Sequence, residues 1–139
     1  MLRKILFSGE HGLSATGNIG LTLLRIFAGI ALAFGHGIMK LPPSEQFVAG
    51  VTALNFPAPK FFAWAAALSE FLGGIFLALG LFTRISSFFI CCVMLTALFG
   101  VHRADPFAKQ ELALLYLFIA ICFLFKGAND WSLDGIIRD

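Results

Sequence analysis

Apolar residues arrive in four long blocks separated by short polar or proline-marked breaks. The first runs from Ile19 to Met39, with Asn18 before it and Leu41-Pro42-Pro43 ending it. The second covers about Phe61 to Phe82, after Phe56-Pro-Ala-Pro-Lys60. The third, Ile85 to Val101, contains no charge, and only Thr83-Arg84 separates it from the second, which forces an antiparallel hairpin. The fourth apolar core, Leu112 to Phe125, is short. Asp105-Pro106 extends it backwards, as an N-cap with proline at the first helical position. About 20 helical residues at ~1.5 Å each cross a ~30 Å hydrocarbon core, and a slightly short span is accommodated by local thinning. The pattern therefore predicts an all-α integral membrane protein, a left-handed antiparallel four-helix bundle with spans near 19–39, 61–82, 85–101 and 106–126. Residues 1–18 are read as a cytoplasmic or interfacial segment and 127–139 as a cytoplasmic tail. The connection 44–59 carries Phe47-Val-Ala-Gly-Val-Thr-Ala-Leu54, too short to span and read as interfacial or re-entrant.

Composition strengthens this picture. Of 139 residues, 59% are hydrophobic and 13% charged, and 17 are phenylalanine. A soluble domain carries about 25% charged residues, so this chain has too little charge to cover a wet surface. Net charge is +2 with no basic stripe, which argues against nucleic acid as a partner. The basic start, Met1-Leu-Arg-Lys-Ile-Leu-Phe7, is interrupted by Ser8-Gly-Glu-His-Gly12, so it reads as an interfacial anchor rather than a signal peptide. Arg3, Lys4, Arg84, Lys126 and Arg138 fall on one side of the bundle and Lys40, Lys60, Arg103 and Lys109 on the other. That excess places both termini in the cytoplasm. Cys91, Cys92 and Cys122 form no CxxC and no metal-ligand spacing, so no disulfide framework and no metal site is expected.

Ionisable residues within apolar blocks are candidate functional groups, because each costs about 2.5–3.5 kcal/mol at membrane depth on insertion scales. Glu70 and Arg25 lie deepest, followed by His36 and Lys40 towards the far end of the first span. His102 ends the third span and Glu111 begins the fourth. Arg25 and His36 are 11 residues apart, about three helical turns, which puts them on one face with Glu70 between them in depth. The same interval links Cys91 to His102 and Glu111 to Cys122, and so points Cys91 and Cys122 inwards, near Arg25. A polar column results: Arg25, Glu70 and His36, rising to Lys40, His102 and Glu111. Each member also has a structural reading. An Arg25–Glu70 pair can simply pin two helices. Histidine can bond backbone near the interface, lysine can snorkel, and an acid in a first helical turn suits the dipole.

Taken together these residues resemble the DoxX family of small four-helix bacterial membrane proteins. The elements are Arg25-Ile-Phe-Ala-Gly29, Gly35-His36-Gly37 with Lys40, Pro57, Glu70-Phe-Leu-Gly73-Gly74 and Gly80-Leu-Phe-Thr83-Arg84, then His102, Glu111 and Ser132-Leu133-Asp134. The resemblance covers roughly residues 21–135. It implies a redox-linked role in the bacterial cytoplasmic membrane, at the quinone pool, and relatives that exchange disulfides carry cysteine pairs that this chain lacks.

The leading expectation is a quinone-associated oxidoreductase subunit or accessory, in which His36, Glu70 and Glu111 bond a ring oxygen or relay protons and Arg25 tunes Glu70. Phe27, Phe34 and Trp64 are the expected apolar lining. No GxGxxG is present, so electrons must come from a partner or a bound ligand. Larger redox subunits and a second copy of the chain are the candidate partners besides lipid. The competing expectations are a non-catalytic assembly subunit and, less well supported, a small transporter, since no inverted repeat is visible. Haem ligation by His36 and His102 fits poorly with their position at the boundary.

Overall fold

A computed structural model describes residues 13–138, and the expected anchor with Arg3 and Lys4 lies outside them. Among the described residues the chain is all-helical. Helix α1 begins at Ala15, where Ser14 accepts from the Gly17 N–H, and runs as α-helix to Leu32. It continues through a π turn at Ala33–Gly37 and a 3-10 turn at Ile38–Lys40. Short α2 (Glu45–Ala53) is capped by Ser44. Then come α3 (Pro59–Leu79), with proline in its first turn, and α4 (Thr83–Thr96), which ends in a second π turn at Ala97–Val101. Helix α5 spans Phe107–Lys126 and α6 Leu133–Arg138.

Four helical units, Ala15–Lys40, Pro59–Leu79, Thr83–Val101 and Phe107–Lys126, are long and apolar enough to cross a membrane. They pack in the order α1, α3, α4, α5, and α2 lies against α3. The core runs through Leu32, Leu77, Ile90, Met94, Leu117 and Phe123, while Phe27, Met39, Phe99, Phe118 and Phe125 point outwards. That inside-out greasiness fits a lipid solvent. Between α1 and α3 the backbones touch. A Cβ on Gly29 would stand 2.4 Å from the Gly74 carbonyl oxygen, and one on Gly37 would stand 2.4 Å from the Phe71 nitrogen. Small residues permit such close approach where lipid gives helices no hydrophobic reason to associate.

Several sequence expectations need correction. The hairpin turn is Gly80–Phe82, not Thr83-Arg84, because Gly80 (φ 65°) and Phe82 (φ 47°) both adopt the left-handed conformation and Thr83 already begins α4. With Thr83 and Arg84 included, the third span is no longer short. Asp105 does not cap α5: Pro106 occupies the N-cap position, and the Asp105 carboxylate turns to His102 instead. The segment read as a cytoplasmic tail is also folded against the bundle, which the sequence did not indicate. Asp134 accepts from the Phe82 and Thr83 N–H groups at 2.8 and 2.9 Å, and its own N–H donates to the Gly80 carbonyl at 2.8 Å.

Candidate functional site

Two polar assemblies occupy opposite ends of the bundle, and some of the candidate residues fall in each. At the tail end, Arg25 is almost fully buried and its guanidinium donates to the carbonyls of Leu77 and Ala78, at 3.0 Å each, and of Trp131, at 2.8 Å. The Leu77 and Ala78 carbonyls lie in the last turn of α3, where Leu77 also accepts from the Gly80 N–H, so a cation there adds a donor to the helix end and suits its dipole. Asn129 donates to Thr22 Oγ1 at 2.6 Å and Asn18 donates to Asp130 at 3.0 Å, which ties α1 to the chain after α5. This end is a structural lock.

The expected Arg25–Glu70 pair does not form. Arg25 is engaged at Leu77–Ala78, about two turns and ~12 Å along α3 from Glu70. The partner of Glu70 is Lys40, whose Nζ lies 2.7 Å from both carboxylate oxygens. Glu70 is 2% exposed, whereas 34% of the Lys40 side chain is open. The partner changes because of the π turn at 33–37. A π turn holds an extra residue, so everything beyond it is rotated back relative to an uninterrupted α-helix. Gly37, rather than His36, then continues the buried line of Arg25, Gly29 and Ala33, and Lys40 swings over Glu70.

Lys40 and Glu70 form one wall of a cavity of about 690 Å³ enclosed by α2, the loop-side halves of α3 and α4, and His102. Its apolar walls include Phe47, Leu54, Phe56, Phe62, Phe89 and Val93. Ser69 and Thr96 also face it, but each hydroxyl donates to a carbonyl of its own helix. A volume of this size, largely apolar with a few convergent polar groups, is that of a small-molecule site. The Lys40 ammonium has three N–H groups and uses two on Glu70, and it sits 5.6 Å from the Phe47 ring centre. His102 Nδ1 lies 2.8 Å from Asp105 Oδ2. With Nδ1 donating, Nε2 is the free acceptor, able to take up a proton. Asp105, in the loop outside the spans, has its carboxyl held below the usual range, mainly by this hydrogen bond. Gln110 fastens the turn by donating to the His102 and Asp105 carbonyls.

The remaining candidates lie elsewhere. His36 is half-buried, edge-on to Tyr116 with ring centres 5.8 Å apart, and does not line the cavity. Glu111 and Cys122 share an outward face and are exposed, contrary to the inward placement expected for Cys122. Phe27 and Phe34 are exposed and Trp64 is outside the lining. Cys91 is buried in the core, while Cys92 lines the cavity, again because the π turn at 97–101 shifts the register between the cysteines and His102. The sequence reading missed Phe47, Phe56, Phe62 and Cys92. The aromatic cluster around Pro57 was a usable signal for the first three. Among the described residues no group of three or more His, Cys, Asp or Glu is placed to hold a metal.

Comparison with known proteins agrees with this architecture. A protein of Bacillus subtilis (strain 168) named "Putative oxidoreductase CatD" is 29% identical over 120 residues, 86% of this chain and 87% of that one. A Haemophilus influenzae protein that carries no functional name is 41% identical over 107 residues, 72% of this chain and 78% of that one. No solved structure matches. The DoxX family model matches residues 20–103, which include the α1–α3 crossing, Lys40, Glu70 and His102. This multi-pass membrane protein belongs to the DoxX family.

Proposed function

We propose that this DoxX protein has a redox-linked role, holding a quinone head group in the α2–α3–α4 cavity as a subunit or accessory of a membrane oxidoreductase. The observation that carries the reading is the cavity itself, with Lys40, Glu70 and His102 among its polar lining and phenylalanine rings around them. A quinone ring is flat and apolar with carbonyl oxygens at its rim. The third Lys40 N–H and the Nε2 of protonated His102 can donate to such oxygens, and Phe47, Phe56 and Phe62 offer ring contacts. The fit needs no further polar group. When bound, a quinone supplies two-electron, two-proton chemistry. This chain holds and releases protons at His102 Nε2, with Asp105 fixing the tautomer.

Electrons come from a partner redox protein, since the chain has no dinucleotide motif. The name of the Bacillus relative agrees with a redox association. The setting we propose is the bacterial cytoplasmic membrane with both termini in the cytoplasm, on the lysine and arginine distribution. The cavity then opens towards the opposite face.

Native mass spectrometry of the detergent-solubilised protein, with organic extraction of what is bound, tests this. A quinone that co-purifies with the wild type and is lost in Glu70→Gln, with helicity retained, supports the reading. An empty bundle that neither retains nor takes up added quinone, bound to a larger subunit, overturns it in favour of a non-catalytic assembly role, with Lys40–Glu70 as a pin between α1 and α3.

A further inference from the structure

The cavity does not end at Glu70. A second, wholly apolar groove of about 430 Å³ continues along the seam of α3 and α4, and it shares Ala65, Ser69 and Phe89 with the first. Along it Gly73 lies against Ile90 and the Ser86 carbonyl, and the Phe76 and Phe82 ring centres are 6.4 Å apart. From Ala65 to Phe76 the groove follows about three turns of α3, ~16 Å along its axis. Its two hydroxyl groups are withdrawn from it. Ser69 donates to the Ala65 carbonyl at 2.6 Å and Ser86 to the Phe82 carbonyl at 3.1 Å. The groove thus presents nothing but hydrocarbon, whereas the cavity above it has a polar wall.

We propose that the occupant of this joined site is a lipid with an uncharged polar head and a single long apolar chain: the head lies in the Lys40–Glu70–His102 cavity, and the chain descends the α3–α4 groove towards Phe76 and Phe82. This rests on the cavity holding a quinone head group, and it adds the class of quinone and the direction in which it lies. Charge selects the head. Lys40 and Glu70 neutralise each other at 2.7 Å, so a phosphate or carboxylate drawn to Lys40 would meet a buried carboxylate at the same distance scale. Continuity selects the chain: the groove meets the cavity at Ala65, Ser69 and Phe89, so an apolar chain attached to the head can pass from one to the other. Because bilayer tails are as apolar as the groove, the chain adds orientation and packing rather than a hydrophobic driving force.

The test uses the full chain in lipid nanodiscs with two benzoquinone probes at equal mole fraction, one without a side chain and one with a decyl chain ending in a photoreactive diazirine. The expected result is binding of both probes and crosslinks from the chain end at Leu72, Phe76, Phe82 or Ile85. A Cβ at Gly73 would sit 3.5 Å from the Ile90 side chain, an ordinary contact, so Gly73→Leu, checked for retained helicity, is the variant that adds bulk at the groove floor. It should cut those crosslinks at least fivefold while the chainless probe binds as before. Crosslinks spread over all four spans, or confined to α2 and the loop end, overturn the groove assignment and leave the head-group site standing. The same holds for crosslinks unaffected by Gly73→Leu, or for recovery of a phospholipid from the seam. If neither probe binds the wild type, the cavity reading falls and takes the groove with it.

Discussion

Lys40 and Glu70 stand 30 residues apart and meet where α1 gives way to its final turns, the ammonium 2.7 Å from each carboxylate oxygen. The carboxylate is buried and the ammonium is partly open, so the two ends of the pair are not equivalent. Removing the buried partner frees a lysine that can reach the head groups. Removing the open partner strands a charge in an apolar interior.

Lys40→Met is therefore expected to destabilise more than Glu70→Gln. The cost should be about 1–3 kcal/mol, below the range for fully buried pairs because water already reaches Lys40. In the double variant most of the Lys40→Met cost should disappear, since no unpaired charge remains. Reversible unfolding in mixed micelles measures all three. Equal costs for the two single variants would show that the pair is not the asymmetric contact described.

How far the sequence reached is set by helical phase. Apolar block length was enough for the four spans, since crossing a bilayer leaves few alternatives. Glu70 and Lys40 were visible as charges in apolar blocks, yet their pairing was not. Counting 3.6 residues per turn from Arg25 assumes an unbroken α-helix, and the π turns at 33–37 and 97–101 break it twice. The same error hid Cys92 behind Cys91. The tail was invisible for another reason: Asp134 acts on a turn 51 residues earlier, and no local pattern announces a cap supplied from so far away.

That cap leads to a second prediction. The Asp134 carboxylate accepts from the Thr83 N–H and the Phe82 N–H, and so holds Phe82 in a left-handed conformation that a bulky residue resists. Asp134→Ala removes the acceptor of the buried Thr83 N–H and one acceptor at Phe82, and should cost about 2–3 kcal/mol. Asp134→Asn keeps one acceptor and should recover part of it. Thermal unfolding of the purified protein reads the difference. A loss confined to α6, with the α3–α4 turn still protected from hydrogen exchange, would contradict the role given to Asp134.

Acid should loosen the loop end before the rest. His102 holds the Asp105 carboxyl below its ordinary value of 3.8, so the folded turn favours the ionised form. The stabilisation is complete above that ordinary value and is lost as the pH falls through the lowered folded value. Hydrogen exchange across residues 102–110 should accelerate in that window, while the tail-end lock stays protected. Asp105→Asn should show faster exchange at neutral pH and no further rise in acid. A rise of the same size in Asp105→Asn would assign the acid response to another group.

The sharpest contrast is between two glycines. At Gly80 the backbone has φ 65°, and an added Cβ would stand 2.1 Å from Arg25 Nη1 and 2.5 Å from Ser132 Cβ. A flexible side chain end normally yields, but this guanidinium is fixed by three carbonyls and Ser132 by the lock around it. Gly80→Ala should cost about 3 kcal/mol or more, through left-handed strain and the loss of Arg25 hydrogen bonds. Gly80→Asn separates the causes, because asparagine tolerates the conformation but still carries a Cβ. If space dominates, it should be as damaging as alanine. Gly20, inside α1 with nothing within 4 Å of an added Cβ, is the control. Gly20→Ala should be neutral or stabilise by up to about 0.5–1 kcal/mol. Parallel unfolding curves in one detergent decide it: a Gly80→Ala protein as stable as Gly20→Ala would remove Arg25 from the lock that joins α1, the α3–α4 turn and the tail.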